Sequence, residues 1–396
     1  MADAVLAERE KASGRRLRKA PPPVRRTLLR ALPFLLLTPL GLLLTWLSTL
    51  DASATERLWS ASVYPVLAQA VSAVTGIFPF SVAEMIILAG IPALIAAFVV
   101  FIVRMARCRP DENVGRGVLR GRMAARFFAV LLSIASALYF SFVLMGGINY
   151  NRLTFSGYSG LEIRDSSPQE LAEMCRSLAE RANELRGEVS ADENGVFRLS
   201  QSYTETAKLA RDSFSALRER YPVLGGRYSR PKPVLCSRVM SYLDIAGIFI
   251  PMTSESNINV DMPDHSIPVT MCHEQTHLRG FMREDEANFI AYLACRDSES
   301  ADLRYSGTML ALTHSMNSLY RADYDAFCEI YGTYCDGILA DYAASRAYWK
   351  QFEGPVAETS SRINDGYLKA NNQSDGVQSY GRMVDLLLAE FRANAG

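Results

Sequence analysis

Charge is absent from three long apolar stretches of the chain. Residues 32–50 lie between Arg30 and Asp51, residues 85–103 between Glu84 and Arg104, and residues 127–148 begin directly after Arg126. A helix needs roughly 20 apolar residues to cross the hydrocarbon core of a bilayer, so the pattern predicts three spans over those ranges. Residues 58–83 also lack charge, but they are diluted by Ser60, Ser62, Gln69, Ser72 and Thr75 and broken by Pro65, Gly76 and Pro79. They read as an interfacial or re-entrant element, with Trp59 and Tyr64 near the lipid headgroups.

Basic residues orient these spans. Lys11, Arg15, Arg16, Arg18, Lys19, Arg25 and Arg26 precede the first, while Arg104, Arg107, Arg109, Arg116, Arg120 and Arg122 follow the second. Both clusters favour the cytoplasm, so an even number of crossings separates them, and the third crossing carries the chain out. The expected division is a cytoplasmic basic leader (1–30), a transmembrane module (31–148) and an extracytoplasmic domain (149–396). A cleaved signal peptide is not expected, because the polar leader and the first apolar run are both too long for one. Within the leader, Ala20-Pro21-Pro22-Pro23-Val24 reads as a stiff linker.

Beyond residue 149 the periodicity changes. Ser167-Pro168-Gln169-Glu170 is a capping box with proline at the first helical position, opening a helix to about Gly187. Residues 203–221 read as a second helix. Residues 247–252 and 257–260 are short β-prone runs separated by Thr253-Ser254-Glu255-Ser256, and read as strands of a small sheet. After residue 300, Met309, Leu312, Met316 and Leu319 or Tyr320 recur at helical spacing and mark a core stripe.

One pentapeptide carries chemistry: His273-Glu274-Gln275-Thr276-His277. Two imidazoles four residues apart share a helix face and can grip one metal ion, and the intervening carboxylate can serve as a base. This is the H-E-x-x-H signature of zinc hydrolases, in which both histidines ligate Zn2+ and the glutamate takes a proton from the zinc-bound water. The chain has only 4 histidines, which makes chance a weak rival. The bland alternative is a helix with solvated or structurally paired side chains. Ser266-Ile267-Pro268 supplies a helix entry, and Gly280 a helix stop. That stop matters because Glu284, seven residues after His277, would lie about 10 Å away on an unbroken helix. A turn at 280–283 followed by a helix over 284–295 brings two histidines and one glutamate within reach of one ion.

Glu284-x-x-Ala287-Asn288 resembles the E-x-x-A-D or E-x-x-A-N element of gluzincin metallopeptidases. The resemblance implies that Glu284 is the third zinc ligand and that Asn288 orients a motif histidine. Gluzincins usually separate the histidine pair and the glutamate by tens of residues, and the much shorter spacing here keeps Glu286 as a reserve ligand. Metzincins share the glycine but place their third ligand at position 283, here Arg283, and are rejected. More broadly, Gly147-Ile148-Asn149-Tyr150, Cys272-His273-Glu274, residues 283–289 and Tyr305-Ser306-Gly307 are similar to domain-of-unknown-function family 3810. That resemblance implies a multi-pass protein of the bacterial cell membrane and a membrane-anchored zinc metallopeptidase. By resemblance to zinc peptidases, residues 248–260 would supply an edge strand that holds substrate backbone, although an ordinary sheet strand is an equal reading.

Lys+Arg and Asp+Glu both number 42, so no long-range pull toward nucleic acid exists. Six of the 7 cysteines fall after residue 149, where disulfides are permitted. Cys272 with Cys295 and Cys328 with Cys335 are the first pairings to test, and buried unpaired thiols are the alternative. His314 and Tyr305 are candidate donors to a developing oxyanion, against a packing role for each.

The expectation is an N-terminal α-helical transmembrane module joined to an α+β zincin-like domain of gluzincin type, predominantly helical with a small sheet. Its partners would be the lipid bilayer and a peptide or protein substrate, hydrolysed through Zn2+ on His273, His277 and Glu284 with Glu274 as base. The alternative is a catalytically inactive zinc-stabilised membrane sensor or scaffold. A transporter with an incidental motif is disfavoured, because the spans lack the internal charges that mark ion paths.

Overall fold

The computed structural model describes residues 21–110, 114–371 and 380–395; Lys11, Arg15, Arg16, Arg18, Lys19 and Ala20 of the leader lie outside them. Three helices are long and apolar enough to cross a membrane: α1 (Val24–Leu50), α3 (Val82–Ala106) and α4 (Arg116–Met145). Each extends beyond its apolar run at one or both ends, because the flanking arginines and alanines are good helix formers. Helix α4 stops at Met145 rather than at 148, where Gly146 and Gly147 open a short 3-10 turn over Gly147–Asn151.

The chain forms two compact units, residues 1–40 with 89–139 and residues 41–88 with 140–396. In the first, Thr38 Oγ1 donates to Ser136 Oγ at 2.9 Å, tying α1 to α4. Phe101 of α3 stacks on Phe127 of α4 with ring centroids 4.3 Å apart. Leu32, Leu36, Ile95, Phe98 and Leu132 point outward and exposed, a surface suited to lipid rather than water.

In the second unit, α2 (Val63–Thr75) departs from the headgroup reading. Tyr64 is fully buried within protein, where its hydroxyl donates to the Leu278 carbonyl at 3.2 Å. Trp59 is half-buried against the same cluster. The polar residues that diluted this apolar run are what let it bond to protein. Ser72 Oγ pairs with Ser229 Oγ at 2.9 Å, Gln69 Oε1 accepts the Arg227 N–H at 2.7 Å, and Thr75 Oγ1 donates to the Thr253 carbonyl at 3.0 Å.

Helix α5 (Pro168–Arg186) starts at Ser167, whose Oγ accepts the Glu170 N–H at 3.2 Å. Only half of the capping box forms, because the Glu170 carboxylate pairs with Arg392 instead. The expected helix over 203–221 is two, α6 (Tyr203–Asp212) and α7 (Phe214–Arg220). Ser213 Oγ bonds the Ala210 carbonyl at 2.9 Å and competes with the helical ladder at the break.

The sheet has three strands in the order β1-β3-β2. β1 (Lys232–Pro233) runs parallel to β3 (Glu255–Ile258), and β2 (Gly247–Ile250) pairs antiparallel with β3, Gly247 opposite Ile258 and Ile250 opposite Glu255. The second β-prone run is thus shifted toward the N-terminus. Asn259 leaves the strand because its amide donates to Ser241 Oγ at 3.0 Å and to the Ile245 carbonyl at 3.1 Å. Glu255 of β3 also accepts the Val82 and Ala83 N–H groups at 3.0 and 2.8 Å and pairs with buried Lys232. The start of α3 is thereby seated on the sheet.

Helix α8 (Ile267–Leu278) carries the pentapeptide, followed by α9 (Glu284–Arg296), α10 (Ala301–Ala322), α11 (Asp336–Lys350), α12 (Pro355–Ala370) and α13 (Tyr380–Ala395). In α10, Met309, Leu312, Met316 and Leu319 are buried, whereas Tyr320 is exposed and lies off the stripe. The turn from α8 to α9 closes with Gly280 N–H on the His277 carbonyl at 2.8 Å and Phe281 N–H on the Thr276 carbonyl at 3.4 Å. Those two bonds, with Gly280 at φ +87°, form a Schellman stop. A Cβ on Gly280 would sit 2.9 Å from Tyr64 Cε1 and 3.0 Å from Arg152 Nη1. Gly280→Ala is therefore expected to destabilise the fold by about 1–2 kcal/mol from the backbone conformation alone, with crowding added. Chemical denaturation of the two proteins measures it.

Candidate metal centre

The turn at Gly280 folds α9 back on α8, so two side-chain pairs with helical i, i+4 spacing meet face to face. His273 and His277 come from α8, and Glu284 and Asn288 from α9. His277 Nε2 lies 3.0 Å from His273 Nε2, and Glu284 places Oε2 3.2 Å from His273 Nε2 and Oε1 3.6 Å from His277 Nε2. Donors held tetrahedrally on one zinc ion stand about 3.3 Å apart. The three residues therefore fit a metal without rearrangement, and among the described residues they form the one group of this kind.

Each imidazole is fixed from behind. His273 Nδ1 is 2.8 Å from Asn288 Oδ1, and His277 Nδ1 is 2.7 Å from the Phe281 carbonyl. Both partners are acceptors, so each Nδ1 carries a proton and Nε2 is the atom turned toward the centre. Phe281 is the residue whose N–H closes the Schellman turn, so one short loop both stops α8 and orients its second histidine.

The cluster attracts positive charge. Burial opposes a charged His273 ring, but the hydrogen bond and charge of Glu284 outweigh it and lift His273 to about 9. Burial would raise Glu284, yet the His273 hydrogen bond and the two imidazoles hold it down to about 2. Burial lowers His277 to about 4, with His273 repelling a second proton.

Glu274 stands apart from this trio. It is buried, and burial pushes its carboxyl up to about 8. The Phe249 N–H of β2 favours its charged form, and its Oε2 has no hydrogen-bond partner. The Asn259 N–H to Ala246 carbonyl bond of 2.9 Å sets the phase of the ladder, so that Gly247 and Phe249 turn their backbone groups away from β3. The free edge of β2 thus runs over Glu274. Gly247 permits the approach, since a Cβ there would lie 2.6 Å from Glu274 Oε1.

The other sequence candidates separate clearly. Glu286 faces elsewhere, accepting the Phe155 N–H at 2.9 Å. Tyr305 is committed to packing: its hydroxyl donates to Asp341 Oδ2 at 2.6 Å, and Asp341 also holds Arg186 at 2.9 Å. His314 lies close enough to His273 to feel its charge, and burial lowers it to about 4, so it is neutral at physiological pH. Two residues escaped the sequence reading. Tyr150 and Tyr367 bond hydroxyl to hydroxyl at 2.9 Å, and the charge of Glu284 reaches both rings. Tyr150 ends the run Gly147-Ile148-Asn149-Tyr150, which has no chemistry of its own to mark it; Tyr367 has no local signal at all.

No disulfide joins the cysteines. Cys272 and Cys295 are buried neighbours that remain thiols, with Cys295 pushed well up by burial and by Cys272, and Cys328 and Cys335 are also free. The buried pair, Cys272 and Cys295, behaves as small apolar residues.

Fold and site together define a predominantly helical protein with three helices able to span a membrane and a candidate His-His-Glu metal centre. The chain belongs to the family described as protein of unknown function (DUF3810), which matches residues 59–388. That match covers α2, both site helices and part of α13. No curated protein and no solved structure matches the chain. Maleimide is expected to modify Cys328 in the folded protein and to reach Cys175, Cys272 and Cys295 only after unfolding, as read by intact-mass spectrometry.

Proposed function

We propose that the protein is a membrane-anchored zinc metallopeptidase of zincin-like design that hydrolyses peptide bonds on the extracytoplasmic side. The observation that carries this reading is the convergence of His273, His277 and Glu284 at zinc-like spacing, with the separate carboxylate of Glu274 beside them and a strand edge above. Three donors rather than four gather among the described residues, which favours a catalytic centre over a closed structural one. The basic flanks of α1 and α4 favour the cytoplasmic side, which supports placing the site outside.

Zinc would supply a Lewis acid that polarises the scissile carbonyl and a means of activating water at neutral pH. The chain's own groups do the rest. Glu274 Oε2, in the ionised form of its carboxyl, accepts the proton of the attacking water, and the acid so formed can then pass that proton to the leaving amine. The outward backbone groups of Gly247 and the outward carbonyl of Phe249 hold the substrate extended by strand addition. Tyr367, whose hydroxyl accepts from Tyr150, donates to the oxyanion as charge develops. Asn288 and the Phe281 carbonyl keep both imidazoles in the ligating tautomer.

Purified full-length protein is expected to hold one zinc per chain and to cleave a quenched-fluorescent peptide library. Glu274→Gln should keep the zinc and lose about 10²–10⁴-fold in hydrolysis, whereas His277→Ala should lose both. No stoichiometric zinc in the wild type refutes the proposal. Full zinc without cleavage of any peptide would replace it with the sensor or scaffold reading. Tyr367→Phe separates the oxyanion role from simple binding: kcat is expected to fall about 10²-fold with KM little changed.

A further inference from the structure

A second site lies within the first compact unit and owes nothing to the zinc chemistry. A cavity of about 470 Å³ opens between the N-terminal half of α1 and the middle of α4. Arg30 and Arg126 are among the residues that line it, together with the apolar side chains of Phe34, Val130 and Ile134. Each arginine is the last charge before an uncharged apolar run, so the two mark a common depth at the edge of the hydrocarbon. Neither α1 nor α4 contains an acidic residue to neutralise them. Between them, Thr27 is more than nine-tenths buried and lines the same cavity, and its Oγ1 has no hydrogen-bond partner. A buried hydroxyl is normally satisfied, and this one belongs to a residue that lines a space a ligand can fill.

We propose that this cavity binds an anionic phospholipid from the bilayer. The phosphate sits between Arg30 and Arg126, Thr27 donates to a phosphate or glycerol oxygen, and an acyl chain lies along Phe34, Val130 and Ile134. Paired guanidiniums match phosphate oxygens, and basic pockets between membrane helices are known to hold such headgroups. A second copy of this chain fits less well, because its matching surface is equally basic.

The test uses delipidated full-length protein in neutral detergent, titrated with dioctanoyl phosphatidylglycerol and dioctanoyl phosphatidylcholine and read by native mass spectrometry. Saturable binding of the phosphatidylglycerol in preference to the phosphatidylcholine is expected. Removing each arginine should weaken it about fivefold. Arg30→Gln with Arg126→Gln should therefore cost roughly 25-fold, while the corresponding double lysine variant restores most of the affinity. Both side chains are exposed, and retained helicity by circular dichroism identifies variants that have kept their fold. Thr27→Val is a milder check, expected to weaken binding severalfold without touching charge. Glycerophosphoglycerol, which lacks acyl chains, should not compete. Equal affinity for the two lipids, phosphatidylglycerol binding that survives loss of both arginines, or competition by the free headgroup each overturns the proposal. So does an arginine-dependent change of oligomeric state without lipid binding, which would make the groove an interface between copies.

Discussion

The stop at Gly280 is the constraint on which the site depends. A helix running through that point would carry Glu284 away along its axis, whereas the left-handed residue reverses the chain and lays α9 against α8. Two pairs of residues with the same helical spacing then interdigitate: His273 and His277 on one side, Glu284 and Asn288 on the other. The turn does more than reverse direction. Its Phe281 contributes an N–H to end α8 and a carbonyl to orient His277, so a distortion of the loop reaches the centre directly.

What holds the turn is buried polar structure. Arg152 bonds Glu56 at 2.8 Å, donates to the Arg279 carbonyl at 3.2 Å and lies over the Phe281 ring at 3.9 Å, while the Tyr64 hydroxyl donates to the buried Leu278 carbonyl at the end of α8. A buried ion pair of this kind contributes little net stability, because desolvation offsets most of its attraction. Losing one partner is another matter, costing about 3–5 kcal/mol, so the pair enforces one arrangement of the segments around the turn. Lys232 and Glu255 act similarly at the other end of the sheet. There the carboxylate also accepts the first N–H groups of α3, coupling strand β3 to the start of an apolar helix.

The electrostatic character of the two units differs for a structural reason. The candidate metal centre concentrates carboxylates and imidazoles in buried space, where the charge of Glu284 raises the preference of both imidazoles for a cation. The helices of the first unit carry basic residues at their ends and apolar residues elsewhere, which suits an interface between anionic headgroups and hydrocarbon. The candidate cation site and the proposed anion site are thus built by different means, one from residues on two facing helices and one from the flanks of membrane-length segments.

Sequence alone determined what local chemistry determines. Uninterrupted apolar length marked three membrane-capable helices, i, i+4 spacing placed both histidines on one face, and glycine in a position to stop a helix announced the turn that brings Glu284 back. The serine before Pro168 marked the start of α5 for the same reason. Tertiary structure decided everything that required distant partners. Tyr64 looked like an interfacial residue because nothing within its own segment reveals that it meets the end of α8, more than two hundred residues later. Glu284 and Glu286 are indistinguishable by composition, and the direction in which α9 docks turns one into the centre and the other to Phe155. Tyr305 was claimed by Asp341, and Tyr150 and Tyr367 met beside Glu284. Propensity and periodicity act over a few residues and can be read along the chain; hydrogen bonds and burial between remote segments exist only once the chain has closed on itself.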